Sequence, residues 1–374
     1  SLSHRGVRPI FKTTESIEDL FERYGQSYRI LVMFAGMAAS FTMVVSGTIV
    51  NVAVPSVIGA FGIGLDQAQL ITTGFNIAMV TSQLLSAWLV AAFGQRAGFL
   101  LMAAVFTLGS VIGGLGQTFD MIVVGRVLQG VAAGVIQPLV MVVAFQVFPA
   151  DRRGYAMAIY SMGIFLAVAV GPVFGGFAIE LLHWRYIFWA PLPIIFVAAL
   201  MGWVFMPSVP SKERKAFDWV GYILLIVSVY CLVTAITEGN REGWTSSYIV
   251  GLFITGITCG IVLVWTQLQS WSSLIDLTLF KNKQFAMVAF IAFVFGIGNF
   301  GTGYGVPVFG QLIQGMTPVV AALMMLPSSL LIVAALPFTG KLADRIPAHI
   351  GILAGLALFA IGTAPMAGAD VNTS

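Results

Sequence analysis

A chain of 374 residues in which 59% are hydrophobic and only 9% charged, against about 25% charged in an ordinary globular domain, carries more apolar surface than a water-facing fold can bury. Its mean hydropathy is +0.96, and its apolar runs are continuous and about 20 residues long, which reads as an all-α polytopic membrane protein and excludes a β-barrel of short alternating strands. The net charge of +3 follows loop placement and is not a nucleic-acid footprint.

Residues 1–29 are polar and charged, unlike a cleavable signal peptide. Within this lead, Ser16 and Asp19 stand at capping-box spacing. Ile17, Leu20, Phe21 and Tyr24 then recur at i, i+3, i+4, i+7. The pattern predicts a short amphipathic helix, suited to the membrane surface or to a docking partner.

Eleven spans are predicted, at 30–54, 67–91, 98–117, 120–148, 155–181, 185–206, 218–238, 247–269, 285–313, 317–339 and 349–368. The lead and alternate connections hold Arg5, Arg8, Lys12, Arg23, Arg29, Arg96, Arg152, Arg153, Lys212, Arg214, Lys215, Lys281, Lys283, Lys341 and Arg345, whereas the opposite connections hold only Arg185 and Arg241. This positive-inside bias places the N-terminus in the cytoplasm. An odd span count that ends in AGADVNTS predicts that the sequence stops short of a natural end, by three helices or on the order of 75 residues. The turns AWLVAAFGQR (87–96) and GKLADR (340–345) are equivalent points of an internal repeat. They divide the chain into a lead (1–29), a six-helix bundle (30–206), an inserted helix pair with its loops (207–284) and three helices of a second bundle (285–374).

Arg126 is the one charge well inside a span. An arginine in hydrocarbon costs about 2.5–3.5 kcal/mol on insertion scales, so it faces a wet cavity or a partner. Arg126, Gln129, Gly130, Ala133 and Gln137 share one helical face, and Gly130 and Gly134 form a small-xxx-small pair for close helix approach. In the next span, Gly171-Pro172 breaks the helix and Gly175-Gly176 closes it, a place for a bend. A polar cavity lining is expected from Asn51, Asn76, Gln83, Gln129, Gln137, Asn299 and Tyr304, with Met37, Met79, Met141, Met162 and Phe165 as a soft apolar wall.

These segments resemble the major facilitator superfamily, and within it the fourteen-helix drug:proton antiporter branch. Thr48–Pro55 (TIVNVAVP) is similar to L-D-x-T-I-V-N-V-A-L-P, and Arg126–Gly130 (RVLQG) to R-x-x-Q-G. Gly171–Gly176 (GPVFGG) resembles the antiporter motif G-P-x-x-G-G, and Gly340–Arg345 (GKLADR) resembles G-x-L-A-D-R. His183–Phe188 and Leu274–Phe280 also fit the branch. The resemblance implies export of lipophilic or amphipathic compounds by alternating access, coupled to protons, from a bacterial inner membrane. Arg126 and Gln129 would couple protons, Gly171, Pro172, Gly175 and Gly176 would form a hinge, and Gly340, Asp344 and Arg345 a cytoplasmic gate. The implied partners are a lipophilic substrate, the proton, the bilayer and, in a two-membrane bacterium, a periplasmic adaptor and an outer-membrane channel. No cofactor is implied.

The sequence departs from that pattern in two places. The first-span aspartate aligns with Ser46, and the Asp-Arg pair of the first repeat turn aligns with Ala91 and Ala92, leaving Arg96. Arginine does not titrate in the working range, so coupling calls for an acid beyond the chain or an end carboxylate such as Glu180 or Asp120. The alternative is a transport-inactive relative that serves as a ligand sensor or assembly partner. An enzyme is disfavoured: His4, His183 and His349 form no H-E-x-x-H, there is no G-x-S-x-G, and Cys231 and Cys259 sit alone in apolar spans.

Overall fold

The computed structural model describes residues 15–208, 217–269, 276–312 and 318–365, with the single residues 274 and 315. These residues form fifteen α-helices. The helices are α1 (Ile17–Tyr24), α2 (Tyr28–Phe61), α3 (Leu65–Ala68), α4 (Leu70–Ser82), α5 (Leu85–Phe93), α6 (Gln95–Leu115), α7 (Phe119–Val147), α8 (Arg153–Leu181), α9 (Tyr186–Trp189), α10 (Leu192–Phe205), α11 (Trp219–Glu242), α12 (Ser247–Gln269), α13 (Lys283–Leu312), α14 (Pro318–Ala343) and α15 (Ala348–Thr363). Each of the eleven predicted spans overlaps these helices, the second taking in the end of α3 with α4 and α5, and the sixth α9 with α10. Among the described residues, eight segments are long and apolar enough to cross a membrane, and the pair α4–α5, bent by 57°, makes a ninth. The described parts of α13 and α15 are shorter apolar helices.

In hydrocarbon every backbone amide needs an internal partner, so apolar runs of this length have no stable option but helix. That constraint overrides local breakers. α2 carries Pro55, α7 Pro138 and α8 Pro172 inside continuous helices. The predicted break at Gly171-Pro172 is therefore absent: α8 runs unbroken from Arg153 to Leu181. α2 ends where Gly62, at φ +62°, takes the left-handed conformation and donates its N–H to the Ile58 carbonyl.

α7 is the central post and packs against α6, α4 and α2, while α2 also contacts α8 and α10. Small residues set these crossings. At the α6–α7 contact, a Cβ on Gly109 would lie 2.6 Å from the Gly125 carbonyl, and the reverse substitution would be equally crowded. Gly130 and Gly134 lie against the Phe75 and Met79 carbonyls of α4, so the small-xxx-small pair does admit its neighbour. α11 packs on α12 and more lightly on α4, and α14 packs on α8.

The lead helix α1 has the expected reciprocal capping box: Asp19 N–H donates to Ser16 Oγ at 3.2 Å and Ser16 N–H to Asp19 Oδ2 at 3.1 Å. Its apolar stripe lies on the chain's own bundle rather than on a membrane surface. Leu20 is fully buried, and Ile17, Phe21 and Tyr24 pack against the same core. Tyr24 meets Phe205 edge-on, with ring centroids 5.3 Å apart.

Candidate functional site

Arg126 sits on the buried face of α7, where α2, α4 and α6 converge, with 1% of its surface exposed. Its Nε donates to the Ile71 carbonyl at 3.1 Å. Nη1 donates to the Ser46 carbonyl at 2.9 Å, to Ser46 Oγ at 3.1 Å and to Gln129 Oε1 at 2.8 Å. Gln129, also buried, passes the network on by donating from Nε2 to Ser110 Oγ at 2.8 Å, while Ser46 Oγ donates to Gln129 Oε1 at 3.2 Å. The guanidinium lies over the Phe75 ring, 4.3 Å from its centroid. Each helix supplies one part, so the network reports the relative positions of four helices.

Every acceptor around Arg126 is neutral. Ser46, at the position where the resemblance expects aspartate, is in direct contact with the guanidinium. Among the described residues Nη2 has no hydrogen-bond partner. Asp120 is exposed in the first turn of α7 and forms no ion pair with Arg126 among the described residues. The Glu180 side chain lies outside the described residues. Asp218 is committed elsewhere: it caps α11 by accepting from Gly221 N–H at 2.8 Å, and accepts from Gln267 Nε2 at 2.6 Å.

On α8, Gly171 and Gly175 face α2. A Cβ on Gly171 would collide with Thr48 Oγ1, and one on Gly175 would lie 3.0 Å from the Ile49 carbonyl. Gly176 points into open space. The motif residues thus let α8 slide close along α2, and Pro172 costs no break.

The turn after α14 reaches the start of α8. Asp344 accepts from the Gly154 N–H at 2.8 Å through Oδ1 and from the Tyr155 N–H at 3.0 Å through Oδ2. These are two of the four amides that a helix start leaves unpaired, and the carboxylate also meets the positive end of the helix dipole. Gly340 lies against Ala158 and the Gly154 carbonyl, where a side chain would push the helices apart. Lys341 Nζ sits 5.6 Å from the Tyr155 ring centroid. Arg345 is exposed.

Among the described residues, none of the remaining polar candidates shares a hydrogen bond of the Arg126 network. Asn51, Asn76, Gln83 and Asn299 are exposed and Gln137 is half-buried, and Asn51 Oδ1 accepts from Thr72 Oγ1 at 3.5 Å. The Tyr304 side chain lies outside the described residues. A cavity of about 550 Å³ instead opens on the opposite side of α4 and α7, against α11, and none of these residues lines it. Sequence reading missed its lining, although the signal was present: Tyr222, Ile226, Tyr230, Thr234 and Glu238 repeat every fourth residue along one face of α11.

Two features, a buried arginine network on the fourth span and a carboxylate clamp between α14 and α8, coincide with the resembling motifs, and residues 36–374 match the family model described as Major Facilitator Superfamily. The chain belongs to the major facilitator superfamily. It is 30% identical over 337 residues to the multidrug resistance protein Stp of Mycobacterium tuberculosis, covering 89% of this chain and 62% of that protein. It is 28% identical over 334 residues to the multidrug export protein EmrB of Haemophilus influenzae, covering 89% and 66%. With the lincomycin resistance protein LmrB of Listeria innocua it shares 30% identity over 352 residues, covering 94% and 74%. The chain spans less than two thirds of the length of the first two of these relatives. Among solved structures, the proton:xylose symporter XylE gives a TM-score of 0.56 at 13% identity over 86% of this chain and 70% of that one, a likeness of fold. The chain is a multi-pass membrane protein of this fold.

Proposed function

We propose that the chain is the larger part of an exporter of lipophilic or amphipathic compounds that works by alternating access, with its basic end in the cytoplasm of a bacterial inner membrane. The observation that carries the reading is the Asp344 clamp. It joins α14 to the α8 N-terminus through two charge-assisted hydrogen bonds, which can be made or lost as the two sides move. The Arg126 network supports it by holding α2, α4, α6 and α7 as one block, against which α8 and α14 shift. The names of Stp, EmrB and LmrB favour drug-like substrates, and proton coupling is part of the proposal. In a two-membrane host, a periplasmic adaptor and an outer-membrane channel would continue the path.

Efflux of a fluorescent lipophilic dye from cells expressing the protein, measured with and without an imposed pH gradient, tests this reading. Efflux should depend on the gradient and be lost in Arg126→Ala, with the protein still present in the membrane. Efflux that persists in Arg126→Ala would overturn the role given to that residue.

One observation favours a second reading. Ser46 places a hydroxyl where a carboxylate would face Arg126, so the buried cation has only neutral partners among the described residues. A transport-inactive relative that binds a ligand or partner fits that arrangement. If the parent shows no efflux while Ser46→Asp gains gradient-dependent efflux, the second reading is the right one for this chain.

A further inference from the structure

We propose that the cavity between α4, α7 and α11 is a binding site for an elongated amphipathic cation, with the apolar chain along α7 and the cationic head at Glu238. This goes beyond the transport reading, because the cavity lies on the side of α4 and α7 away from Arg126.

Shape comes first. The cavity holds about 550 Å³, within the ordinary range of about 300–1,000 Å³ for small-molecule sites. Its α11 wall runs from Tyr222 to Glu238, about 24 Å of helix at about 1.5 Å per residue. That is a slot for a long molecule rather than a globular one. The facing wall is apolar in its middle, formed by Ile77, Val123, Val127 and Val131. A Cβ on Gly74 would reach ordinary contact with Val127, at 3.4 Å, so a longer side chain there would project into the space between α4 and α7.

The strongest polar groups stand at the two ends, with the Thr73, Tyr230 and Thr234 hydroxyls between them. At one, Tyr222 and Ser82 share a hydroxyl contact of 3.4 Å. At the other stand Glu238, Tyr248, Thr237 and Gln69. Glu238 is the only charged residue in the described lining, and its side chain is 27% exposed. Tyr248 stands beside it. Arg241 lies 4.0 Å from Glu238 but 2.9 Å from Glu242. One guanidinium therefore serves two carboxylates, and among the described residues this end carries more acidic than basic groups. A carboxylate beside the Tyr248 ring, at the end of a largely apolar slot, selects an ammonium head on a hydrocarbon chain. It repels an anionic head.

The test is equilibrium binding to the full chain in lipid nanodiscs, with empty nanodiscs subtracted. The probe is dodecylamine, protonated at neutral pH, compared with dodecyl sulfate and dodecanol. The parent should bind the ammonium saturably and the sulfate not at all. Glu238→Gln should weaken ammonium binding by about tenfold or more, the size of a lost hydrogen bond to a charged group, and leave dodecanol unchanged. Gly74→Leu, which fills the slot and keeps the carboxylate, should abolish binding of both amine and alcohol. Asp344→Asn should leave binding intact even where it impairs efflux, which keeps a failure here distinct from a failure of the transport reading. Ammonium binding equal to that of dodecyl sulfate, or unchanged in Glu238→Gln, would overturn the proposal and make the slot a groove for lipid chains without charge selection.

Discussion

The turn between α5 and α6 and the turn after α14, which the sequence pattern pairs as points of a proposed repeat, are both fastened by a buried or half-buried carboxylate. They obtain that carboxylate in different ways. The later turn carries its own acid, Asp344, and spends it on the α8 amides. The earlier turn has Ala91 and Ala92 at the corresponding positions and keeps only Arg96, which is 7% exposed. Its acid comes from the lead: Glu15, 2% exposed, meets Arg96 Nη2 at 2.5 Å and Arg23 Nη2 at 2.7 Å. Arg96 Nε donates to the Met206 carbonyl at 2.8 Å, its backbone N–H to Pro207, and Ser208 N–H to the Glu15 carbonyl. The earlier clamp thus ties the lead, α6 and the end of α10 within one bundle, whereas the later clamp bridges two groups of helices. A staple within one group of helices thus stands against a contact that, on the proposed function, is released as the helices move.

The largest effect that breaks this comparison should come from the staple. Arg96→Met leaves Glu15 buried without its principal partner, a loss of about 3–5 kcal/mol for a broken buried pair. Thermal unfolding in detergent should show a markedly lower midpoint. The double variant Glu15→Gln/Arg96→Met removes both charges and should recover much of that loss, since replacing a whole buried pair is near neutral. If the double variant is as unstable as the single one, the two residues do not act as a pair.

A smaller effect is expected at the α14 turn. Gly340→Val forces a side chain against Ala158 and the Gly154 carbonyl, an overpacking cost of about 1–3 kcal/mol. Because the strain falls between helices that are proposed to separate, it should favour the separated state. Accessibility of a cysteine placed at Ala158 to a water-soluble maleimide should rise in Gly340→Val, and an unchanged labelling rate would remove Gly340 from the gate.

The two clamps also differ in how far the sequence reveals them. Asp344 could be picked out because its role is local to a motif, and the face shared by Arg126, Gln129 and Gly130 because helical spacing places them together. Glu15 could not, because its partner is 81 residues away and nothing in a charged lead distinguishes a buried glutamate from a solvated one. The helix through Pro172 was missed because proline rules come from water, where a lost amide bond can be replaced by solvent. The α11 slot was missed because its repeat of Tyr, Thr and Glu has no meaning until α4 supplies the opposite wall. Asn76 and Gln83 are exposed, clear of the packed faces of α4, so the proposal that they line a cavity rests on the sequence alone.

The smallest effect should come from Asp344→Asn, and it separates the clamps most cleanly. Asparagine keeps one acceptor oxygen but turns an N–H₂ group toward the second α8 amide, and it removes the charge that meets the helix dipole. The stability cost should be about 1 kcal/mol, as for an exchanged helix cap, far below that of Arg96→Met. If the later clamp is a gate, this minor loss should nonetheless carry a disproportionate functional effect, because α8 and α14 would part more readily. Efflux should fall severalfold while the unfolding midpoint barely moves, whereas Glu15→Gln in the staple, though it costs more stability, should leave efflux by the folded protein nearly intact. Equal ratios of efflux loss to stability loss at the two turns would mean that both are staples.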